Sequence, residues 1–257
     1  MSWKFFTNSG QQKTFDSSVA SSVSTVASAS SIAVTGPGTY LLTGTTTVAT
    51  ITGGAVGMTI TVQASAQASG TPVVLTYGTG SNAIKLTGGR SLGLYAQVPA
   101  DTAAGAGESV TLRYDGTAWV EIARDLRTVL GYTEITSNKN VTSTSAAAGT
   151  SVVAAPAITF DGATLIDITF YAHLVDRGTT YCRLMTYDGS TAMNEMWRTT
   201  STVSPATCVV RLTPTAASHT YGIYGYVDAG TGIVYCGALN GGGASSGPAY
   251  IKVSRSI

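Results

Sequence analysis

A long stretch of this chain carries no charge. After Asp16 the next Asp, Glu, Lys or Arg is Lys85, so residues 17–84 are all uncharged and rich in glycine, serine, threonine and alanine. A soluble domain normally has about 25–35% charged residues on its surface. We therefore expect neighbouring chains to cover much of this segment, which would also protect its strand edges, and we predict an intertwined homo-oligomer.

The whole chain is also poor in charge, and this excludes several partners. Only 11% of its 257 residues are charged and the formal net charge is +1, so no basic cluster supplies phosphate contacts and we expect no nucleic-acid ligand. Thr, Ser and Gly interrupt every apolar run short of the ~20 residues that span a bilayer. The N-terminus lacks a basic stretch leading into an apolar one, so we expect neither membrane insertion nor a signal peptide.

Short strand-forming runs alternate with glycine-rich turns over most of the chain. Strands that recur every 8–12 residues, as they do over residues 32–123, are typical of an all-β sandwich, barrel or solenoid. Charges cluster at 124–127, and residues 124–150 are interpreted as a connector followed by an entering strand. A second β domain is predicted over 151–257, where seven or eight strands suit an antiparallel sandwich of jelly-roll type. One strand face there is expected to be core: Ile166, Ile168, Phe170, Ala172 and Leu174.

The first 31 residues are interpreted as an anchoring segment and a linker. Trp3, Phe5 and Phe6 lie close together in a segment too short to fold alone. They form either a strand against the rest of the chain or an anchor that docks onto a partner, and we favour the anchor. The spacing of valines at 19, 23 and 26 fits a brief helical seam, but serine and valine are weak helix formers, so a linker or loop fits as well.

Three Asp-Gly pairs predict tight turns between strands. They are Tyr114-Asp-Gly-Thr117, Phe160-Asp-Gly-Ala163 and Tyr187-Asp-Gly-Ser190. Glycine supplies the positive φ that a two-residue hairpin turn needs. The alternative is that Asp115, Asp161 and Asp188 serve as calcium ligands or catalytic acids, but the turn is much the commoner use of this dipeptide.

The sequence offers little for catalysis. A glycosidase needs two carboxylates about 5–9.5 Å apart, and no Asp or Glu occurs between Asp16 and Asp101. The remaining carboxylates are scattered, and no nucleophile-elbow, phosphate-loop or zinc-protease motif is present. His173 is expected at the surface or in an interface, and His219 in a turn. We predict no enzymatic activity, no catalytic residue, no metal and no cofactor.

Three cysteines lie in alternating apolar strands of the second half: Cys182, Cys208 and Cys236. No CxxC or Cys/His spacing occurs, so buried free thiols are favoured over a disulfide or a metal site. Their odd number leaves at least one unpaired within the chain. This fits assembly in a reducing cytoplasm.

A binding surface remains the main functional candidate. Aromatic residues with polar tips suit sugars and protein partners because they combine apolar area with a hydrogen-bonding end. Five of them concentrate in the last domain and form the candidate receptor or partner surface: Trp197, Tyr221, Tyr224, Tyr226 and Tyr235. Loops at 189–205 and 239–248 could carry recognition. The alternative is that these tyrosines pack on strand faces and in a trimer interface.

Two stretches of the first half are distinctive: Trp3-Lys-Phe-Phe6 and a glycine-punctuated β region closing on Val110-Thr-Leu-Arg-Tyr-Asp-Gly-Thr-Ala-Trp-Val120. They resemble stretches of fibre-like proteins and minor tail proteins of tailed bacteriophages. The last domain resembles the trimeric sandwich that ends such proteins, through Ala155-Pro-Ala-Ile-Thr-Phe-Asp-Gly162, Arg211-Leu-Thr-Pro-Thr215, His219-Thr-Tyr221 and Pro248-Ala-Tyr-Ile-Lys-Val253. These motifs are structural, so the resemblance carries over no catalytic residue.

The resemblance implies a virion protein made in the host cytoplasm. It implies a homotrimer with an N-terminus attached to other virion proteins, a β-solenoid or β-prism-like shaft over 32–123, and a C-terminal sandwich displayed outward. The favoured function is a tail fibre or tail-tip protein that contributes to attachment, through a host glycan or protein. A capsid decoration or head-fibre protein of the same architecture is the alternative, and a polysaccharide depolymerase is a remote one.

Overall fold

The computed structural model describes residues 22–100, 107–237 and 246–256, together with the backbone of residues 3–6 and 12–15. In this part of the chain the regular secondary structure consists of strands and one 3-10 turn, Ala146–Ala148. None of its helical structure is long and apolar enough to cross a membrane. The prediction of an all-β chain is therefore confirmed.

The first half of the chain forms an N-terminal strand pair and a first β unit. The antiparallel pair is β1 (Trp3–Phe6) with β2 (Gln12–Phe15). The strands of the unit are β3 (Ser22–Ala27), β4 (Ser31–Ala33), β5 (Gly38–Thr43), β6 (Thr50–Thr52), β7 (Thr59–Ala64), β8 (Pro72–Leu75), β9 (Ile84–Lys85), β10 (Leu92–Tyr95), β11 (Ser109–Tyr114) and β12 (Trp119–Asp125).

Parallel pairing dominates the start of the first unit. β3 pairs with β5 and β5 with β7, each in parallel, and β4 pairs in parallel with β6. The chain then reverses, because β7 pairs antiparallel with β11 and β11 forms a hairpin with β12. Period-2 alternation in β7 directs Ile60, Val62 and Ala64 into the core, as expected of a half-buried strand.

The core of the first unit closes around a tryptophan. Trp119 is fully buried, and its indole N–H donates a hydrogen bond of 2.7 Å to the carbonyl of Ile51. The ring of Tyr114 packs against it with centroids 5.1 Å apart. A Cβ at Gly54 would lie 2.7 Å from the Tyr114 ring, so this position requires glycine. The indole thus fills the core without leaving its donor unpaired.

The second half of the chain forms a second β unit, whose pairings in the described residues are antiparallel. Its strands are β13 (Val129–Ile135), β14 (Lys139–Val141), β15 (Thr150–Ala154), β16 (Ile158–Thr159), β17 (Ile166–Asp176), β18 (Cys182–Asp188), β19 (Thr191–Thr199), β20 (Val203–Leu212), β21 (Ser218–His219), β22 (Tyr221–Val227), β23 (Gly232–Tyr235) and β24 (Ala249–Arg255).

Two sheets of this unit enclose a common core, in a sandwich-like arrangement. The first sheet has the order β13-β24-β17-β23-β14, and β20 also pairs with β17. The second has the order β15-β22-β18-β19. Phe170 and Ile251 of the first sheet belong to the same buried cluster as Leu184 and Ile223 of the second. This core is separate from the cluster around Trp119 in the first unit.

The predicted core face of β17 holds over most of its length and then shifts. Ile166, Ile168, Phe170 and Ala172 are all fully buried. A β-bulge against β20 follows Ala172, so Val175 turns into the core and Leu174 is only half-buried. One extra residue in a strand inverts the alternation beyond it.

Two segments differ from the sequence interpretation. Residues 22–27, placed in the linker, form β3, so no helical seam exists there, and Val23 is 64% exposed. Position 19 lies outside the described residues. Residues 124–150, interpreted as a connector followed by an entering strand, contain two strands, β13 and β14, which pair with β24 and β23 of the second unit. The structure thus extends the second unit back to Val129.

Two of the three Asp-Gly turns join paired strands as predicted. The turn at Asp115 connects β11 to β12, and the turn at Asp188 connects β18 to β19. Their glycines have positive φ, as does Gly162 in the third turn. The third turn is not a hairpin, because β16 before it pairs with β21 instead of β17.

The cysteines are free and buried, as predicted. Burial raises the pKa of the Cys182 and Cys208 thiols to about 12, and also raises the pKa of Cys236. All three belong to the core of the second unit, where they pack as small apolar side chains.

A buried ion pair joins the two units. Arg255 Nη2 at the end of β24 lies 2.8 Å from Glu108 Oε2, which directly precedes β11, and their side chains are 8% and 1% exposed. Glu108 also accepts hydrogen bonds from the backbone N–H groups of Tyr95 and Arg127. Burial raises the pKa of the Glu108 carboxyl, and the charge of Arg255 opposes that rise.

Further hydrogen bonds cross the same junction. The Tyr95 hydroxyl donates to the carbonyl of Thr159 at 2.8 Å, and the N–H of Gly93 donates to Asp161 Oδ2 at 2.7 Å. Asp161 therefore has two roles, because its other oxygen accepts from the backbone N–H groups within its own turn. These hydrogen bonds fix β10 against the second unit.

Candidate binding surfaces

The five aromatic residues predicted as a surface occupy different places. Tyr221 and Tyr235 are buried at 1% and 6% exposure, and Tyr226 at 9%. Trp197 and Tyr224 are half-buried, and Trp197 packs against the core of the second unit. They therefore do not form one surface of the protomer, and the buried tyrosines fit the packing alternative.

For the predicted anchor residues the structure describes the backbone only. Trp3, Phe5 and Phe6 belong to β1, which pairs with β2 through Trp3 opposite Phe15. Their side chains lie outside the described residues. The recognition loop at 189–205 is largely strand, since it contains β19 and the start of β20, and most of the loop at 239–248 also lies outside the described residues.

Three tyrosines align on the outer face of the first sheet of the second unit. Tyr250 of β24 lies between Tyr132 of β13 and Tyr171 of β17, with ring centroids 5.6 Å away on each side. We call Tyr132, Tyr171 and Tyr250 the tyrosine face. Tyr171 is directly opposite Tyr250, whereas Tyr132 is opposite Lys252, two residues along β24 from Tyr250. Tyr132 is 40% exposed and the others are half-buried.

Polar and apolar groups surround the tyrosine face. The Tyr132 hydroxyl donates to Glu134 Oε2 at 2.8 Å, and the pKa of Tyr132 is raised, mainly by desolvation. On the far side of β17, Val209 of β20 is 58% exposed, opposite Thr169. This row of rings with hydroxyl tips offers both apolar area and hydrogen bonds to a partner.

The outer face of the second sheet carries a different aromatic cluster. Arg183 lies 4.7 Å from the ring centroid of Tyr181 and donates to the hydroxyl of Tyr226 at 3.1 Å and to Glu195 at 2.8 Å. Arg198 also lies over the Tyr181 ring. Arg183 lies over the Tyr226 ring and donates to its hydroxyl, which explains why Tyr226 is buried on an outer face.

One chain of hydrogen bonds contains the residue types of a nucleophilic triad. His219 Nδ1 lies 2.5 Å from Asp188 Oδ2, and Nε2 lies 3.1 Å from the Thr215 hydroxyl and 3.2 Å from the Thr215 carbonyl. The imidazole also stacks on Tyr221 at 5.7 Å. A carbonyl at Nε2 favours the donor form of that nitrogen, which cannot act as a base toward the hydroxyl. We interpret these hydrogen bonds as a structural link between the turn after β18 and β21.

The described carboxylates are engaged by neighbouring groups. All except Asp125 pair with a cation or accept a hydrogen bond within the chain. Asp115 shows the effect most clearly, because the N–H groups of Ala118 and Thr117 and the charge of Lys85 lower its pKa to about 2. Within the described ranges, no group of three or more His, Cys, Asp or Glu could hold a metal ion.

No protein-family model matches the chain, and no curated protein matches it either. The functional argument therefore depends on the surfaces themselves.

Sequence reasoning missed the tyrosine face, although the alternation of core and outward-facing positions along a strand could have revealed Tyr171 and Tyr250. Tyr171 alternates with the core positions Phe170 and Ala172, and Tyr250 lies between Ala249 and Ile251. A polar-tipped aromatic residue between two core positions must face outward. Tyr132 was missed because its strand was placed in the connector.

Proposed function

We propose that this protein is a non-catalytic structural component of a tailed bacteriophage virion, a tail-fibre or tail-tip protein that contributes to host attachment. In this proposal three chains assemble, the N-terminal segment docks on other virion proteins, and the second unit is displayed outward. The finer architecture belongs to the proposal too: the parallel strands β3, β5 and β7 form a short solenoid or prism-like shaft, and the second unit is a jelly-roll-type sandwich.

The observation that carries the proposal is the contrast between the two units. The first exposes uncharged side chains over residues 22–84, including Val23 and Val56 at 64% and 79% exposure. Such a surface suits coverage by copies of the same chain. The second has its own core and presents the tyrosine face, which suits a glycan or protein receptor.

Attachment is tested by competition. Purified protein should bind host cells and reduce phage adsorption in a dose-dependent way, because it occupies the same receptor. Tyr132→Ser should weaken both effects, whereas Tyr77→Ser, at 36% exposure on the first unit, should leave them unchanged. Protein that neither binds cells nor competes would refute the attachment role.

Location on the particle is tested separately. Electron microscopy of virions labelled with antibody against the second unit should place the label at the tail. Label on the capsid would replace the tail assignment with the head-fibre alternative. Sugar release from host polysaccharide, lost on neutralising a carboxylate, would overturn the non-catalytic assignment.

A further inference from the structure

A cleft of about 490 Å³ lies where the two units meet. The first unit contributes the segment between β9 and β10 and the residues that follow Arg124. The second contributes residues 163–165, which directly precede β17, together with Arg255 at the end of β24 and Ser256 after it. The volume falls within the range of small-molecule sites, which often form between domains.

Four arginines line this cleft, and none of its described lining residues is a carboxylate: Arg90, Arg124, Arg127 and Arg255. Arg124 pairs with Glu121, and Arg255 pairs with Glu108. Arg90 is exposed and makes no hydrogen bond or ion pair with any residue that the structure describes. Since only 11% of the chain is charged, this concentration of cations stands apart from the rest of the molecule.

Arg255 adds an independent sign of a missing partner. Its side chain is only 8% exposed, and Nη2 donates to Glu108 and to the carbonyl of Gly93. Its Nε–H is buried and has no acceptor within the described structure. A buried donor without an acceptor costs free energy, and an oxyanion held by the guanidinium would supply one.

The remaining lining defines the body of the ligand. Leu92, Leu126 and Leu165 supply apolar contact, and five hydroxyl side chains supply hydrogen bonds: Thr87, Ser91, Thr128, Thr164 and Ser256. Apolar surface beside several hydroxyls suits a ring that has a C–H face and hydroxyl substituents.

We propose that this cleft binds a small hydroxylated ring compound carrying one carboxylate or phosphate group, in the manner of a uronic acid or a sugar phosphate. The anionic group lies against Arg90 and Arg255, and the ring lies against the leucines. The proposal is independent of where the protein acts, so it stands even if the protein is not a phage component.

Binding is measured with the full chain by isothermal titration calorimetry and amide chemical-shift mapping. The probes are glucuronate, glucose 6-phosphate, glucose and inorganic phosphate. The two charged sugars should bind, and the tighter one identifies the anionic group. Glucose and inorganic phosphate should each bind about tenfold more weakly or worse, because each lacks half of the contacts. Equal binding of phosphate and glucose 6-phosphate would overturn the ring contact, and equal binding of glucose and glucuronate would overturn the anion site.

Arg90→Gln should weaken binding of the charged sugars about tenfold by removing an unpaired cation. Arg113→Gln is the matched control, since Arg113 is exposed on β11 outside the cleft and should leave affinity unchanged. Arg255→Lys keeps the charge but removes the Nε–H, and should weaken binding if its thermal transition shows that it folds. Equal effects of Arg90→Gln and Arg113→Gln, or affinity insensitive to salt, would refute the site whatever Arg255→Lys does.

Discussion

The ion pair between Glu108 and Arg255 is buried on both sides, so its two residues depend on each other. Removing one partner leaves an uncompensated charge in the junction. We expect Glu108→Gln and Arg255→Met each to lower the free energy of unfolding by about 3–5 kcal/mol, measured by urea denaturation.

An exposed pair provides the control for that loss. Asp167 and Arg211 lie 2.7 Å apart on the outer face of the first sheet of the second unit, and the Arg211 side chain is 61% exposed. Exposed pairs contribute little because water and salt screen them. Asp167→Asn should therefore have a much smaller effect, and equal losses in the two pairs would contradict a structural role for the junction.

The raised pKa values of the cysteine thiols predict how the free energy of unfolding changes at alkaline pH. Because burial raises the pKa of Cys182 and Cys208 to about 12, both stay protonated where unfolded thiols, with pKa about 8.5, have ionised. The folded state then binds more protons than the unfolded state, so the free energy of unfolding should fall as pH rises from about 9 to 12.

Two measurements check the thiols. Ellman's reagent should react slowly with the native protein at pH 8 and rapidly with all three cysteines in denaturant. Buried tyrosines titrate in the same direction, since burial raises the pKa of Tyr95 and Tyr221. The Cys182→Ala, Cys208→Ala double variant should thus keep only part of the pH slope. A fast native reaction at Cys182 would contradict its burial.

At the scale of elements, the turn between β11 and β12 depends on a glycine. Gly116 has a φ of 105°, which an L side chain rarely adopts. Gly116→Ala should destabilise the protein by about 1–3 kcal/mol through backbone strain. Gly80→Ala is the control, because a Cβ there meets nothing within 4 Å and φ is not positive, so it should be neutral or slightly stabilising. Thermal unfolding measures both.

The alternation of apolar and polar residues predicted strands that are buried on one face only. It failed for strands that lack such one-sided burial. β7 and β11 alternate cleanly, and both lie within residues 32–123, where short strands were predicted. β19 was assigned to a loop because adjacent Asn194 and Glu195 break the pattern, and its pairing with β18 contains two irregularities. β3 was missed because most of its residues are exposed serine and threonine.

The same alternation explains part of the burial of the tyrosines that were predicted to form a binding surface. In β22, Tyr221 shares parity with Ile223 and Val227, which predicts a core position, while Tyr224 and Tyr226 share the opposite parity. Parity cannot show that Tyr226 is covered by Arg183, because that contact comes from a neighbouring strand. The arginine-lined cleft was equally hidden, since Arg90 and Arg255 are distant in sequence from the charge cluster at 124–127 and meet it only at the junction.

At the scale of the whole molecule, the two units should unfold together. Tyr95 is part of β10 in the first unit and also belongs to the core cluster of the second. Packing and the buried ion pair therefore couple the two cores, so a single cooperative transition is expected. Glu108→Gln weakens the coupling and should broaden or split the thermal transition measured by calorimetry. Two separate transitions in the unmodified protein would show that the junction is weak.

The number of chains in the assembled protein is a second property of the whole molecule that can be tested. Among the described strands β3 pairs only with β5, and it presents Val23 at 64% exposure within the charge-free segment. An uncharged edge strand is a template for another chain. Sedimentation equilibrium should give three times the 26.2 kDa mass of one chain. Val23→Lys should shift the population toward the single-chain mass, because it places a charge in the interface.

Thr117→Lys adds the same charge elsewhere and is the matched control. Thr117 is exposed in the turn between β11 and β12, beside the pair formed by Asp115 and Lys85, where charge is already accommodated. It should leave the mass at three chains. The unmodified protein sedimenting as one chain would refute the oligomer, whereas equal dissociation by both variants would show that assembly uses a surface other than β3. Because dissociation precedes unfolding of a covered surface, the midpoint of thermal unfolding should rise with protein concentration when exchange is fast.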